Sequence, residues 1–201
     1  MFYTILRAIA KPIVYLLFNI KFVGLENIRD NGGFVLCSNH RSFLDPVFIA
    51  VGIKNRKLNF MAKQELFKNK ILDMFFRSIG AFPVNRGKGD VEAVNKAENI
   101  VENNGIVLIF PEGTRSKDGK VMRFKSGAAY IASVCKADIV PAGISYEGKG
   151  LCFRKKVTIS FGEAIPNSEI TIRDDHRVED ARRVNNLLRD SVLELIEKGR
   201  N

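Results

Sequence analysis

The chain has 201 residues, of which 46% are hydrophobic and 27% charged. These values suit one folded domain with a substantial core and exclude a disordered chain. The formal net charge is +10, and the first 162 residues carry 25 basic against 13 acidic side chains. The expected partners are therefore polyanions: nucleic acid, an anionic membrane surface or phosphorylated small molecules.

The N-terminus is apolar but too short for a membrane span. Arg7 and Lys11 interrupt it, and its longest uncharged run is Pro12–Ile20, whereas a spanning helix needs about 20 apolar residues. No small residues follow that would suit signal-peptide cleavage. We predict an amphipathic helix over residues 1–25 that lies on a membrane surface, and the alternative is a helix packed on the core. Its apolar side chains are Phe2, Leu6, Ile9, Ile13, Leu16 and Leu17.

Strand-length apolar runs alternate with helical patterns through the rest of the chain. Strands are predicted at Phe34–Ser38, Leu58–Ala62, Ala81–Val84, Ile106–Phe110, Ile139–Ile144 and Val157–Phe161. Helices are predicted at Pro46–Val51, Gln64–Ile79, Asp90–Asn103, Ser126–Cys135 and Asp174–Lys198. This alternation predicts an α/β fold, with a mostly parallel central sheet flanked by helices, in one domain over residues 26–201.

A histidine and an aspartate follow directly after the first of these strands. His40 stands five residues before Asp45, and imidazole is the side chain that exchanges protons near neutral pH. A carboxylate beside it fixes its tautomer, so the pair is a candidate general base. The alternative is a hydrogen-bonded structural histidine. A metal site is disfavoured, because the other histidine, His176, lies in a distant charged segment and zinc sites usually need three or four close ligands.

A loop rich in polar residues follows the strand at Ile106–Phe110. Gly113 lets the backbone approach a ligand, Thr114 offers a hydroxyl, and Arg115 is able to clamp a phosphate with two hydrogen bonds. We interpret residues 110–116 as a ligand-binding loop. The alternative is an ordinary turn after a buried strand.

Three further positions carry weaker signals. Arg86 follows the strand at Ala81–Val84 and is either a second cation for the same phosphate or a solvated loop residue. Lys125 precedes a predicted helix, where it either neutralises phosphate or is plain surface. Pro141 lies in an apolar segment that is a core strand by default, with a role in lining an apolar ligand groove as the other possibility.

Several functional classes are disfavoured by missing motifs. The sequence has no Gly-x-Ser-x-Gly elbow of a serine hydrolase and no glycine-rich dinucleotide fingerprint after its first predicted strand. Residues 143–150 approach a phosphate-binding loop, but Gly150 replaces the Ser or Thr that would hold magnesium. Aromatic residues are not interleaved with basic ones as in RNA-binding modules, so we expect no nucleic-acid partner.

Taken together, four segments resemble a known family. Residues 39–45, 82–86, 110–116 and 140–144 match, in order and spacing, the four sequence blocks of the glycerolipid acyltransferases. The resemblance implies transfer of a fatty acyl group from a thioester of coenzyme A or acyl carrier protein to a hydroxyl of a glycerol phosphate lipid, with lysophosphatidic acid as the favoured acceptor. It also implies no cofactor and a peripheral or monotopic position on the cytoplasmic side of the cell membrane.

The resemblance further assigns roles to individual residues. His40 would remove the proton of the acceptor hydroxyl and Asp45 would orient it. Arg86, Arg115 and Lys125 would bind the acceptor phosphate. Glu112 would orient the glycerol part or pair with a cation, while Gly113 and Thr114 would shape the wall beside it. Three alternatives stay open: a sister acyltransferase acting on glycerol 3-phosphate or another lysophospholipid, a thioesterase, and a non-enzymatic basic module that binds lipid or nucleic acid.

Overall fold

A seven-stranded sheet lies between two layers of helices in the computed structural model, which describes residues 2–54, 56–85, 90–147 and 153–200. The strands are β1 (Phe18–Val23), β2 (Phe34–Ser38), β3 (Leu58–Lys63), β4 (Ala81–Val84), β5 (Ile106–Ile109), β6 (Ile139–Tyr146) and β7 (Lys155–Phe161). The helices are α1 (Phe2–Leu17), α2 (Asp45–Gly52), α3 (Lys70–Ser78), α4 (Val91–Glu102), α5 (Gly127–Val134), α6 (Asn167–Ile170) and α7 (Arg177–Lys198).

The strand order is β1-β7-β6-β2-β5-β3-β4, and every neighbouring pair is parallel except the antiparallel pair β6 and β7. This topology confirms the predicted α/β class with a mostly parallel sheet. Parallel strands end on the same side, so β2 to β6 all end at what we call the carboxyl end of the sheet. Ligand sites of open α/β sheets lie at this end.

The central strands are hydrophobic on both faces. Every residue of β2, β5 and β6 is buried, as expected for strands covered by helices on both sides. One core cluster joins the sheet to α1 and α2 through residues such as Val14, Phe48 and Ile49. The other joins the opposite face to α4, α5 and α7. The loops after β2 and β5 therefore start from a rigid scaffold.

The N-terminal helix is shorter than predicted. It ends at Leu17, and Phe18–Val23 forms strand β1, which pairs in parallel with β7 at the margin of the sheet. The first four residues of β1 alternate between buried and exposed, with Phe18 and Ile20 facing the core. This period of two is typical of a strand, and the apolar character of the whole segment concealed it.

The predicted helix over Gln64–Ile79 is divided in two. Gln64–Phe67 forms a short 3₁₀ turn, and α3 begins only at Lys70. Asn69 separates them in an extended conformation, and its side-chain oxygen accepts hydrogen bonds from the amides of Ile71 (2.9 Å) and Leu72 (3.3 Å). Asparagine at a helix N-cap satisfies amides that would otherwise lack a partner, so α3 starts at this residue.

Candidate active site

The candidate site lies at the carboxyl end of the sheet, where the loops after β2 and β5 meet. His40 follows β2 by two residues, and Asp45 begins α2. The two loops are joined directly, because the amide of Ser116 donates to the carbonyl oxygen of His40 at 2.8 Å. The rings of His40 and Phe110 stack with centroids 4.0 Å apart. The folding of β2 beside β5 thus brings the two strongest sequence motifs into contact.

His40 and Asp45 form the hydrogen-bonded pair that their spacing predicted. The Nδ1 atom of His40 lies 2.8 Å from Oδ2 of Asp45, whose side chain is 0% exposed. The same oxygen accepts hydrogen bonds from the amides of Arg41 (2.7 Å) and Ser42 (2.8 Å), and the N-terminus of α2 further favours its negative charge. Since Nδ1–H donates to the carboxylate, the basic lone pair is on Nε2. The arrangement suits a general base.

Tyr146 is a third member of this network that the sequence did not reveal. It is the last residue of β6, and its hydroxyl donates to Oδ1 of Asp45. Burial, reinforced by the charge of Asp45, raises the pKa of Tyr146 well above its usual range, so the hydroxyl stays protonated and remains a donor. The guanidinium of Arg41 covers the tyrosine ring at 4.9 Å. Tyr146 therefore holds the carboxylate through Oδ1, while His40 bonds to Oδ2.

Asn39 fixes the backbone next to the histidine. Its side chain is buried and forms two hydrogen bonds with the backbone of Ile144 in β6, donating to the carbonyl oxygen (3.0 Å) and accepting from the amide (2.7 Å). A side-chain amide that bonds in this way extends the pairing of β2 and β6 beyond its last backbone pair, Ser38 with Ala142. The residue that precedes His40 is thereby held in place.

Glu112 does not face the open site. It is 2% exposed, and its two carboxylate oxygens accept hydrogen bonds from the amides of His40 (2.7 Å) and Met122 (2.9 Å). Burial raises the pKa of Glu112, although both of these hydrogen bonds act in the opposite direction. With its oxygens engaged by the backbone, Glu112 braces the loop after β2 against residues 116–125. Its implied role, orienting the glycerol part or pairing with a cation, stays a prediction.

The remaining residues of the second loop lie at its surface. Thr114, Arg115 and Lys125 are exposed, and Gly113 adopts a left-handed conformation (φ 71°) with the Lys125 side chain lying against it. The guanidinium of Arg115 stacks 3.3 Å from the ring centre of Phe43, in the loop that joins His40 to Asp45. Two cations therefore lie on the loop that contacts the histidine, in positions open to a ligand.

Arg86 and Pro141 complete the predicted set. Arg86 lies outside the described residues, but β4 ends at Val84 on the same side of the sheet as β2. With strands about 4.8 Å apart, β4 is roughly 10 Å from β5.

Pro141 is buried inside β6, and its ring lies beside Gly162 and Leu195 of α7. It packs the sheet against α7, and its role in an acyl groove stays a prediction.

Comparisons with known proteins identify the family of the chain. A family model described as acyltransferase matches residues 19–145. The chain is 34% identical over 189 residues to a protein of Streptococcus pneumoniae named 1-acyl-sn-glycerol-3-phosphate acyltransferase, covering 89% of this chain and 68% of the relative. It is 33% identical over 161 residues to the protein of the same name from Bacillus subtilis, covering 79% of this chain and 80% of the relative.

A solved structure shows the same fold. The 1-acyl-sn-glycerophosphate acyltransferase of Thermotoga maritima aligns with a TM-score of 0.75 over 98% of this chain and 78% of its own, at 23% identity. At that identity the likeness concerns the architecture alone. It agrees with the seven-stranded sheet and its flanking helices described above.

Proposed function

The chain belongs to the acyltransferase family, and we propose that it transfers a fatty acyl group from an acyl thioester to the free sn-2 hydroxyl of 1-acyl-glycerol 3-phosphate, giving phosphatidic acid. The observation that carries this proposal is the 2.8 Å hydrogen bond between Nδ1 of His40 and Oδ2 of Asp45. It leaves a basic nitrogen for a hydroxyl proton without requiring a nucleophilic side chain.

In the proposed reaction His40 acts on the acceptor and not on the protein. Nε2 takes the proton of the hydroxyl as its oxygen attacks the thioester carbonyl carbon. The carbon–sulfur bond then breaks, and the imidazolium returns the proton to the leaving thiolate. Asp45 stabilises the imidazolium in between, supported by Tyr146 and two backbone amides. A positioned base of this kind accelerates a reaction roughly 10²–10⁴-fold.

The acceptor phosphate would be held by the cations at the mouth of the site. Arg115 is oriented by its contact with Phe43, and Lys125 lies against the neighbouring Gly113. We assign both to the phosphate, and we propose Arg86, two residues after β4 in the sequence, as a third cation. The guanidinium of arginine matches phosphate with two parallel hydrogen bonds, so Arg115 would also set the distance between the phosphate and His40.

The choice of acceptor rests on the names of the relatives, which specify 1-acyl-sn-glycerol 3-phosphate. The donor is a thioester of coenzyme A or acyl carrier protein, which we treat as a co-substrate, and no resident cofactor is part of the proposal. Both the acceptor and its product are lipids, so the enzyme would work where a membrane supplies them.

The proposed location is the cytoplasmic side of the cell membrane, peripheral or monotopic, and helix α1 supports the contact with a membrane. Its buried side packs on the core through Val14, while the opposite side presents large apolar residues to solvent. These exposed residues are Phe2, Ile5, Ile9, Ile13 and Leu16. No helix in the described part of the chain is long and apolar enough to cross a bilayer. An exposed apolar stripe with nearby Arg7 and Lys11 suits a helix lying in the membrane interface.

An acceptor panel tests the proposed function directly. Purified protein is supplied with acyl-coenzyme A or acyl carrier protein thioester and with lysophosphatidic acid, glycerol 3-phosphate or another lysophospholipid, and the products are identified by mass spectrometry. We expect phosphatidic acid and a release of thiol that depends on lysophosphatidic acid. Thiol release without any acceptor would indicate a thioesterase, and product from glycerol 3-phosphate alone would indicate the sister reaction.

A further inference from the structure

Helix α3 presents a second apolar face to solvent, in addition to that of the N-terminal helix. Ile71 and Met74 are 74% and 69% exposed, Leu72 and Phe75 are each 47% exposed, and no residue of α3 is buried. Soluble proteins seldom expose a contiguous patch of this kind without a partner. We call these four side chains the α3 patch.

The patch is a fixed surface because α3 is anchored from its other side. The rings of Phe67 and Phe76 pack with centroids 5.8 Å apart, and Phe75 meets Phe76 edge-on at 5.7 Å. Arg77 pairs with Asp73 at 2.7 Å and covers the ring of Phe67. These contacts hold α3 on the 3₁₀ turn before it and direct the patch outward.

Chain topology places the α3 patch on the same side of the sheet as α1. The connections from β2 to β3 and from β3 to β4 run towards the β4 edge of the sheet. The connections from β4 to β5 and from β5 to β6 run in the opposite direction, towards β1. Since such crossovers are right-handed, α2 and α3 lie on one face and α4 and α5 on the other. Helix α1 packs on the α2 face, so its exposed apolar stripe and the α3 patch face the same way.

A lysine links the two helices at the end of the sheet where the strands begin. The Lys57 side chain lies beside Gly80, just after α3, and its ammonium is 5.9 Å from the ring centre of Tyr3 in α1. Lys57 thus places a cation between α1 and the C-terminal end of α3.

The charges around the patch are positive. Among the described residues Asp73 is neutralised by Arg77 and Glu65 by Lys63, while exposed Lys68 and Lys70 have no acidic partner within ion-pair distance. Apolar side chains flanked by lysines suit the interface of an anionic bilayer, where the side chains enter the acyl region and the ammonium groups meet lipid phosphates.

We propose that the α3 patch is a second membrane-docking element, which binds an anionic lipid bilayer together with α1. The choice of lipid as occupant rests on the proposed function, since the acceptor is itself a membrane lipid. Two elements on one face hold the enzyme in a fixed orientation, which one helix alone does not define. Helix α3 begins near the carboxyl end of the sheet, so docking brings the side that carries His40 to the level of the lipid headgroups.

Vesicle binding by the full chain tests this proposal without relying on catalysis. The variant I71S/M74S/F75S is compared with the wild type by co-sedimentation with phosphatidylcholine vesicles, with and without phosphatidylglycerol. Ile71 and Met74 are largely exposed, whereas Phe75 is half exposed and loses its edge contact with Phe76, so thermal unfolding is measured for each variant and only a small loss of stability is expected. The matched control is V91S/V178S, which removes exposed valines from α4 and α7 on the opposite side of the sheet.

We expect the α3 variant to bind anionic vesicles at least about tenfold more weakly than the wild type, because each large apolar side chain that no longer enters the lipid loses a sizeable fraction of its burial free energy. The control V91S/V178S is expected to bind as the wild type does. The variant K68Q/K70Q is expected to weaken binding to anionic vesicles while leaving the weaker binding to neutral ones unchanged. Undiminished binding by I71S/M74S/F75S would overturn the proposal. The proposal would also be overturned if light scattering showed that the wild type is a dimer and that I71S/M74S/F75S is a monomer, because the patch would then be a contact between subunits.

Acylation assays distinguish a failure of this proposal from a failure of the proposed function. With a short-chain acceptor that is soluble in water, I71S/M74S/F75S is expected to match the wild type, and with acceptor in vesicles it is expected to be slower. A wild type that acylates neither acceptor would refute the proposed function. The vesicle-binding comparison would still decide the role of the patch.

Discussion

Replacing Tyr146 with Phe removes the hydrogen bond that its hydroxyl donates to the buried carboxylate of Asp45. The ring remains in place under Arg41, but Oδ1 of the fully buried Asp45 loses the hydroxyl that donates to it. A hydrogen bond to a charged group contributes about 1.5–3 kcal/mol, so we expect the free energy of unfolding to fall by about 2 kcal/mol. Oδ2 keeps its three donors, and the pair with His40 persists with looser geometry.

The kinetic effect should appear in kcat. Tyr146 acts through Asp45 and does not touch the substrate, so KM for the acceptor is expected to stay constant while kcat falls about tenfold, which corresponds to about 1.4 kcal/mol of transition-state stabilisation. Denaturant unfolding and steady-state acylation measure the two effects. Tyr130→Phe is the control, because that hydroxyl lies on α5 across the sheet, where Arg177 covers the ring.

Two results would refute this reasoning. If neither kcat nor stability changes in Tyr146→Phe, the hydroxyl does not support the carboxylate. If KM rises while kcat is unchanged, Tyr146 contacts the substrate and does not act through Asp45.

Three further changes test other parts of the site and fold. Glu112→Gln keeps only one acceptor for two backbone amides and should lower the unfolding free energy by about 2 kcal/mol. In the folded protein the pKa of Glu112 lies above its ordinary 4.5. The difference in unfolding free energy between the wild type and Glu112→Gln should therefore shrink as pH rises from 4.5 through the folded pKa. A difference in denaturant midpoints that does not change with pH would contradict this. Arg115→Ala should raise KM for the acceptor roughly 10- to 100-fold. The control Arg177→Ala, which removes another ring-stacked arginine, should leave that KM unchanged. If Arg115→Ala and the wild type have the same KM for the acceptor, Arg115 is not part of the phosphate site. Arg173 lowers the pKa of Asp180 from 3.8 to about 2, so the stabilising effect of that carboxylate should be present above pH 3.8 and lost as pH falls towards 2. Thermal midpoints of wild type and Asp180→Asn should converge over that range, and a constant gap would count against the pair.

The core of the fold could be predicted because its signals are local. The apolar runs of β2 and β5 are continuous, as strands buried on both faces require, and the helix at Val91–Glu102 follows an aspartate whose side chain caps it. Strand β1 was missed because a segment that is apolar throughout gives similar signals for helix and strand. It pairs with β7, which lies more than 130 residues later in the sequence, and a local sequence pattern cannot predict such a distant pairing.

The site was foreseen only where its residues are close in sequence. His40 and Asp45 are five residues apart, and their hydrogen bond follows from the turn between them. Tyr146 reaches the same carboxylate from 101 residues away, through the order of strands in the sheet. The burial of Glu112 was not foreseen either, because the two backbone amides that satisfy its carboxylate lie 72 and 10 residues away in the sequence.

The central claim is that His40 is the general base, and the rate of acyl transfer by His40→Ala tests it most directly. With acyl-coenzyme A and lysophosphatidic acid, we expect kcat to fall roughly 10²–10⁴-fold, while unfolding and vesicle binding stay as in the wild type. His176→Ala is the control, since that side chain is exposed beside Asp175, and it should transfer acyl groups at the wild-type rate. A folded His40→Ala protein that retains substantial turnover would contradict the account.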